Sequence, residues 1–131
     1  PGSGNPADGV SFCFGPDVTS YSNFGEEGTG NGLIICWDIY DNGGGEAPAV
    51  EVKYGGASIA ITKFAKSDMV TSKYEDVEVK LYRNGTLDLK YKGQMLYQGP
   101  GLFHLHGPHW SCGAWRLHSK PGGRTGAPIT A

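Results

Sequence analysis

The sequence has no apolar run approaching the roughly 20 residues that a membrane-spanning helix needs, and no stretch repeats apolar residues convincingly at helical spacing. The first absence argues against insertion in a membrane by a helix, and the second against a helical bundle. Charge of one sign is missing too. The net charge is −2 over 131 residues, which offers no electrostatic grip on nucleic acid or on an anionic surface. Cysteine is scarce, and its count of 3 is odd; one pair plus a leftover thiol, or three free thiols, are both open. An initiating Met is absent. The chain begins Pro1-Gly2-Ser3-Gly4, so upstream residues are expected to have been removed, and the lack of a visible signal peptide says nothing about export.

What is abundant is glycine, at 22 residues, together with 8 prolines. The glycines fall between apolar runs without a collagen-like period, as turns do in a β protein. Period-two alternation recurs. Val10, Phe12 and Phe14 alternate with Ser11 and Cys13; Leu33, Ile35, Trp37 and Ile39 alternate with Ile34, Cys36, Asp38 and Tyr40. Val50–Tyr54 and Ala57–Ile61 follow, then Val77, Val79 and Leu81, then Leu87, Leu89 and Tyr91. Each such strand is expected to bury one face and expose the other. Asn84-Gly85 between alternating runs signals a hairpin, and Lys92-Gly93 marks the next turn. The length fits one domain with its own core. These signals predict an all-β, antiparallel β-sandwich or jelly roll spanning 1–131, with Val10, Phe12, Phe14, Ile35, Trp37, Ile39, Val79, Leu81, Leu87 and Leu89 in much of its core. Residues 99–131 read as largely irregular, with one strand around Ala114–Ser119.

Several segments carry a resemblance. Ala7-Asp8-Gly9-Val10-Ser11-Phe12-Cys13-Phe14 resembles a strand of the legume lectins, and Leu33–Asn42 is similar to the metal-loop strand that follows it there. Ala49–Lys53, Tyr82–Leu89, and Trp115-Arg116-Leu117 with Gly123-Arg124-Thr125-Gly126 resemble later elements in the same order. The chain thus resembles the concanavalin A-like lectin and laminin-G superfamily over residues 6 to 98. The resemblance implies a jelly-roll sandwich, here lacking terminal strands and so expected to be one module of a longer polypeptide. It also implies recognition of a glycan or glycoprotein outside the cell or at its surface. It makes Asp8, Asn42 and the amide of Gly28 or Gly30 sugar-binding groups. Tyr40 joins them on chemical grounds, since hydroxyls want acceptors and amides while a ring C–H face wants an aromatic. Asp38 matches a calcium-ligating carboxylate. Cys36 stands where those lectins carry a metal-binding Glu, and the loop after Asn42 lacks their His. No cofactor is certain from this; a single Ca²⁺ on Asp38, Asn42 and Glu46 stays open and needs about six oxygens. The plainer alternative makes Asp8, Asp41 and Asn42 turn residues only.

Three further expectations concern covalent chemistry and catalysis. If Asp8 lies beside Asp41 and Asn42, paired residue numbers in the first two strands sum to about 49, which sets Cys13 opposite Cys36 on one face. A non-hydrogen-bonded antiparallel pair is within disulfide range, so a Cys13–Cys36 staple in an oxidising compartment is expected, with two free half-buried thiols as the alternative. Asn84-Gly85-Thr86 is an N-glycosylation sequon, used if the source is a eukaryotic secreted protein. Catalysis is not expected. Laminarinase-type glycosidases share this fold, but Cys36 cannot replace a nucleophilic carboxylate, and no Ser/His/Asp constellation stands out. His104, His106, His109 and Cys112 form an H-x-H-x₂-H-x₂-C run that fits no standard zinc spacing. Two functions of different class remain: a non-catalytic glycan-binding module, and a structural or assembly domain of an extracellular polymer that pairs through open sheet edges with copies of itself or neighbouring domains.

Overall fold

The structure is a computed structural model and describes residues 8–22 and 24–99, together with the backbone of 115–118. The described residues are all-β apart from one short helix: eight strands in two antiparallel four-stranded sheets, the sheet content of the expected sandwich. The strands are β1 (Gly9–Phe14), β2 (Leu33–Asp38), β3 (Ala49–Tyr54), β4 (Ala57–Lys63), β5 (Asp76–Leu81), β6 (Leu87–Tyr91), β7 (Gln94–Gly99) and β8 (Trp115–His118). A helix of one turn, α1 (Lys66–Met69), lies between β4 and β5. The described residues fall into two compact units, one within 1–72 and the other within 73–120.

The first unit holds the sheet β1-β2-β3-β4, a meander in which every strand pairs with its neighbour in sequence. The second holds the sheet β7-β6-β5-β8, where only β8 joins out of order. Strand β8 falls where the sequence predicts one; the rest of the segment 100–131 lies outside the described residues.

Turn chemistry accounts for the hairpins. Gly55-Gly56, with φ of 60° and 79°, and Lys92-Gly93, with φ of 53° and 78°, each close a two-residue turn, joining Tyr54 to Ala57 and Tyr91 to Gln94. Two successive left-handed residues match the twist of the flanking strands. Lys92 is the one non-glycine described residue held at positive φ. The Asn84-Gly85 hairpin is built differently. Only Gly85 is left-handed, at φ 83°. Its amide donates to the Tyr82 carbonyl, and the Thr86 amide donates to Asn84 Oδ1 at 3.0 Å. Asn84 therefore acts through its side chain rather than through a positive φ, and it is exposed at the tip.

Of the predicted core, Ile35, Trp37, Val79, Leu81, Leu87 and Leu89 are buried. Phe12, Phe14 and Ile39 are half-buried, and Val10 is 41% exposed. The cause is position: β1 is an edge strand of its sheet and β2 an interior one. The expected exposed face of β2 is also corrected, because all six of its residues are buried. Residues 25–29 roof its second face. A Cβ on Gly28 would stand 2.5 Å from Ile34 Cγ2 and 2.9 Å from Cys13 Sγ, so only a glycine lets this segment lie so close.

Candidate functional site

On the face that carries Ile34, Cys36 and Asp38, the register of the first sheet lines residues up in rows. Asp38 pairs with Ala49 and Ala49 with Lys63; Cys36 pairs with Glu51 and Glu51 with Ile61. Ala49 is the small residue at the centre of its row, between Asp38 and Lys63. The space it leaves is the floor of a cleft of about 190 Å³. Asp38, Cys36, Glu51, Ile61 and Lys63 form its sides, with Glu27 and the Gly44–Glu46 loop at the rim.

The rim loop is tied down by its own polar groups. Asp41 Oδ1 accepts from the amides of Gly43 (2.8 Å) and Gly45 (2.9 Å), and these bonds hold its carboxyl below the ordinary carboxylate range. Glu46 Oε1 accepts from the Asn42 amide at 2.6 Å, and Lys63 Nζ donates to the Gly45 carbonyl. Lys53 pairs with Glu27 and, at 3.3 Å, with Glu51. Burial alone would depress Lys53, but the Glu27 hydrogen bond and the neighbouring acidic groups outweigh it and hold its ammonium above the usual lysine range.

Asp38 is only 8% exposed. Its Oδ1 accepts from the Tyr40 amide at 3.0 Å, while Oδ2 has no hydrogen-bond partner among the described residues. Burial raises its pKa; the Tyr40 amide opposes this, and the like charges of Glu27, Glu26 and Glu46 add to it.

The structure brings some of the expected sugar-binding residues together and separates others. The Ile39 amide donates to the Asp8 carbonyl at 2.9 Å, so Asp8, Asp38 and Tyr40 meet at one end of the first sheet, and Asn42 follows in the loop. Asp8 and Tyr40 are exposed there, outside the cleft itself. Gly28 and Gly30 do not join them. The Gly28 amide donates to Gly25 O at 3.1 Å, and Gly28 packs over Ile34 and Cys13. A Cβ on Gly30 would stand 2.9 Å from Asp17 Oδ1, and Asp17 Oδ2 in turn accepts from the Asn31 amide at 2.7 Å. That puts Gly30 toward the Leu33 end of β2, roughly 16 Å of strand from Asp38 at 3.3 Å per residue. Both glycines allow close packing that a side chain would block.

The Ca²⁺ expectation does not fit the donor set. Among the described residues no three His, Cys, Asp or Glu side chains are placed to hold one metal ion, and one oxygen of Asp38 and one of Glu46 are already engaged by backbone amides. That leaves Asp38, Asn42 and Glu46 well short of the roughly six oxygens required. The His104, His106, His109 and Cys112 run lies outside the described residues. Among those residues no helix is long and apolar enough to cross a membrane.

The disulfide expectation is corrected by register. Paired numbers sum to 47, so Cys13 faces Ile34 and Cys36 faces Ser11. A shift of two keeps both thiols on one face but makes them diagonal neighbours, about 7–8 Å apart and beyond the usual disulfide span. Both are free. Cys13 Sγ accepts from the Thr29 amide at 3.2 Å, and the Cys36 thiol donates to Glu27 O at 3.3 Å. Burial pushes the Cys36 thiol up to about 12; Lys53 opposes this, and Glu27, Glu51 and Cys13 reinforce it. Since the thiolate is the nucleophile, iodoacetamide at about pH 8 is expected to leave Cys36 unmodified in the folded chain. Peptide mapping should find it alkylated after unfolding without reductant. Rapid labelling of native Cys36, or labelling that requires reduction, would contradict this arrangement.

Sequence reasoning missed Ala49, Glu51 and Lys63 as partners of Asp38. The alternation Val50-Glu51-Val52-Lys53 does place Glu51 and Lys53 on one face, and the two-glycine turn after Tyr54 signals the β3–β4 hairpin. Only the pairing of β2 with β3 sets these residues beside Asp38. No protein-family model, no curated protein and no solved structure matches the chain.

Proposed function

We propose that the chain is a non-catalytic glycan-binding module of an extracellular or cell-surface protein, with the cleft beside Asp38 as its recognition site. The observation that carries this reading is the cleft. A partly apolar floor of Ala49 and Ile61 is framed by carboxylates, a lysine and a glycine-rich loop. A few convergent polar groups around an apolar floor suit a small hydroxylated ring, and the exposed Asp8 and Tyr40 extend that surface at the sheet end. The non-catalytic part rests on Cys36. Its buried thiol occupies the strand position where a related hydrolase would need a carboxylate, and the Asp41 carboxylate is committed to its own loop.

A glycan array tests the reading. The chain should bind at least one class of oligosaccharide. Asp8→Ala combined with Asn42→Ala should abolish binding and leave the thermal midpoint nearly unchanged, since both side chains are exposed. Binding that survives the double substitution would separate this site from the lectin resemblance. An array with no bound glycan would remove the reading itself.

A second reading, as an assembly domain, is favoured by β4. This seven-residue strand is at the edge of the first sheet, contains no proline, carries a single charge at Lys63, and exposes Ile61 at 56%. Such an edge has few guards against strand addition, namely the irregularity that leaves Ile59 unpaired and the charge of Lys63. Sedimentation of the isolated chain separates the two: a glycan-binding monomer supports the first reading, and a concentration-dependent oligomer that binds no glycan supports the second.

A further inference from the structure

We propose that the cleft selects a glycan bearing a primary ammonium group, an amino sugar whose nitrogen is not acetylated, with Asp38 as the counter-ion; the inference rests on the glycan-binding reading above. Three observations lead there. The first is the state of Asp38. Asp38 as a residue is more than nine-tenths buried, and it lines the cleft. One oxygen is satisfied by the Tyr40 amide, and Oδ2 accepts nothing from the described residues. Oδ2 is not one of the fully buried unpartnered atoms among the described residues, so it opens onto the cleft, where a charged donor can reach it and offset the desolvation that the burial of the rest of Asp38 imposes.

The second is the distribution of charge. Glu27 and Glu51 are already paired with Lys53, whereas no lysine or arginine forms a salt bridge to Asp38 or Glu46 among the described residues. Lys63 stands across Ala49 from Asp38, two strand spacings or about 10 Å away along the backbone, and its ammonium reaches the Gly45 carbonyl instead. The Asp38 side of the cleft therefore carries an anion whose surroundings are acidic. A neutral hydroxyl there would satisfy an oxygen and leave the charge. An ammonium would satisfy the oxygen and cancel the charge.

The third is the donor set. It falls short of a divalent-cation site, which needs about six oxygens. A primary ammonium has only three N–H donors to place, and Asp38 and Glu46 supply carboxylate acceptors that line the same cleft. Lys63 keeps two further N–H donors for a ring hydroxyl on the opposite side.

Titration calorimetry at about pH 6, where the sugar amines are mostly protonated, tests the proposal with three oligosaccharides of equal length: β-linked glucosamine, N-acetylglucosamine and glucose. The glucosamine oligomer should bind about tenfold or more tightly than the other two, the size expected of one charge-assisted hydrogen bond. Asp38→Asn should erase that preference. The asparagine can still accept the Tyr40 amide through its carbonyl, and it removes a buried charge, so the variant should fold. Asp68→Asn, an equal charge change on the exposed helix α1, should leave the preference intact and so exclude mere attraction to a negative chain. Equal affinity for the amine and its acetylated form, or a preference that persists in Asp38→Asn, overturns the proposal while the glycan-binding reading stands. Failure of all three oligomers together with an empty glycan array ends both.

Discussion

Gly32→Ala should destabilise the chain by about 3 kcal/mol, the upper part of the range for forced overpacking. Gly32 immediately precedes β2 and lies beside the last residues of β1, where Phe14 pairs with Leu33. A Cβ at Gly32 would stand 2.1 Å from the Phe14 carbonyl oxygen and 2.8 Å from Gly15 Cα. Both obstacles are backbone, so no side-chain rotation relieves the clash. The two chains must separate, which breaks the β1–β2 ladder at its closed end and disturbs the Asp17–Asn31 hydrogen bonds nearby. Gly25→Ala is the matched control. A Cβ there meets nothing within 4 Å, and Gly25 has no left-handed φ. That substitution should be neutral, or stabilising by a few tenths of a kcal/mol through the unfolded chain. Urea midpoints of the two variants decide the matter; equal midpoints would mean that the approach at Gly32 is wrong.

The β1–β2 junction also shows where sequence reasoning reaches its limit. Alternation named both strands and the face each residue occupies. It could not supply the register, because a shift of two residues preserves every face. The sum of 49 and the observed 47 share one hydrophobic pattern but differ in every pairing: Cys13 faces Ile34 rather than Cys36, and Asp8 meets Ile39 rather than Asp41. The disulfide expectation depended on that one unconstrained number. The glycines that fix the register, Gly15 and Gly32 at one end and Gly9 at the other, were visible in the sequence as turn residues. Their role as points of backbone contact was not.

Burial was legible for the second sheet and less so for the first. Val77, Val79, Leu81, Leu87, Leu89 and Tyr91 alternate cleanly with half-buried polar residues, and the structure keeps that pattern. Strand β2 carries apolar residues on both faces, Ile34 and Cys36 as well as Leu33, Ile35 and Trp37. Period-two reasoning assigned half of them to solvent. The feature that overrides it is local: a glycine-containing segment roofs the outer face, and it can do so because Gly28 has no side chain to hold it away. The cleft depends on the same kind of detail. Only the lectin resemblance singles out Asp38, as a metal ligand. Its isolation within an acidic rim depends on Ala49 being small and on Lys53 turning toward Glu27 and Glu51, neither of which alternation encodes.

Leu89→Ala should cost about 3 kcal/mol, within the usual range for removing a buried leucine side chain, and lower the Tm by about 10 °C for a chain of this size. Leu89 is fully buried, at 0% exposure. It lies in β6 between Val79 on β5 and Tyr97 on β7, at the centre of the second sheet rather than near an end. The β5 side is held by continuous antiparallel pairing, so the backbone there cannot close over the space left by the lost atoms. A cavity term therefore adds to the lost burial. The irregularity in β6–β7 pairing falls just after Leu89, which gives the β7 side a little freedom to relax and argues against the top of the 5 kcal/mol range. Met95→Ala is the comparison within the same sheet. Met95 is on the edge strand β7 and is 39% exposed, so its truncation should cost less than about 1 kcal/mol. Thermal and urea unfolding of the two variants provide the check. A Leu89→Ala protein as stable as Met95→Ala would mean that residues 77–91 do not form the buried face described.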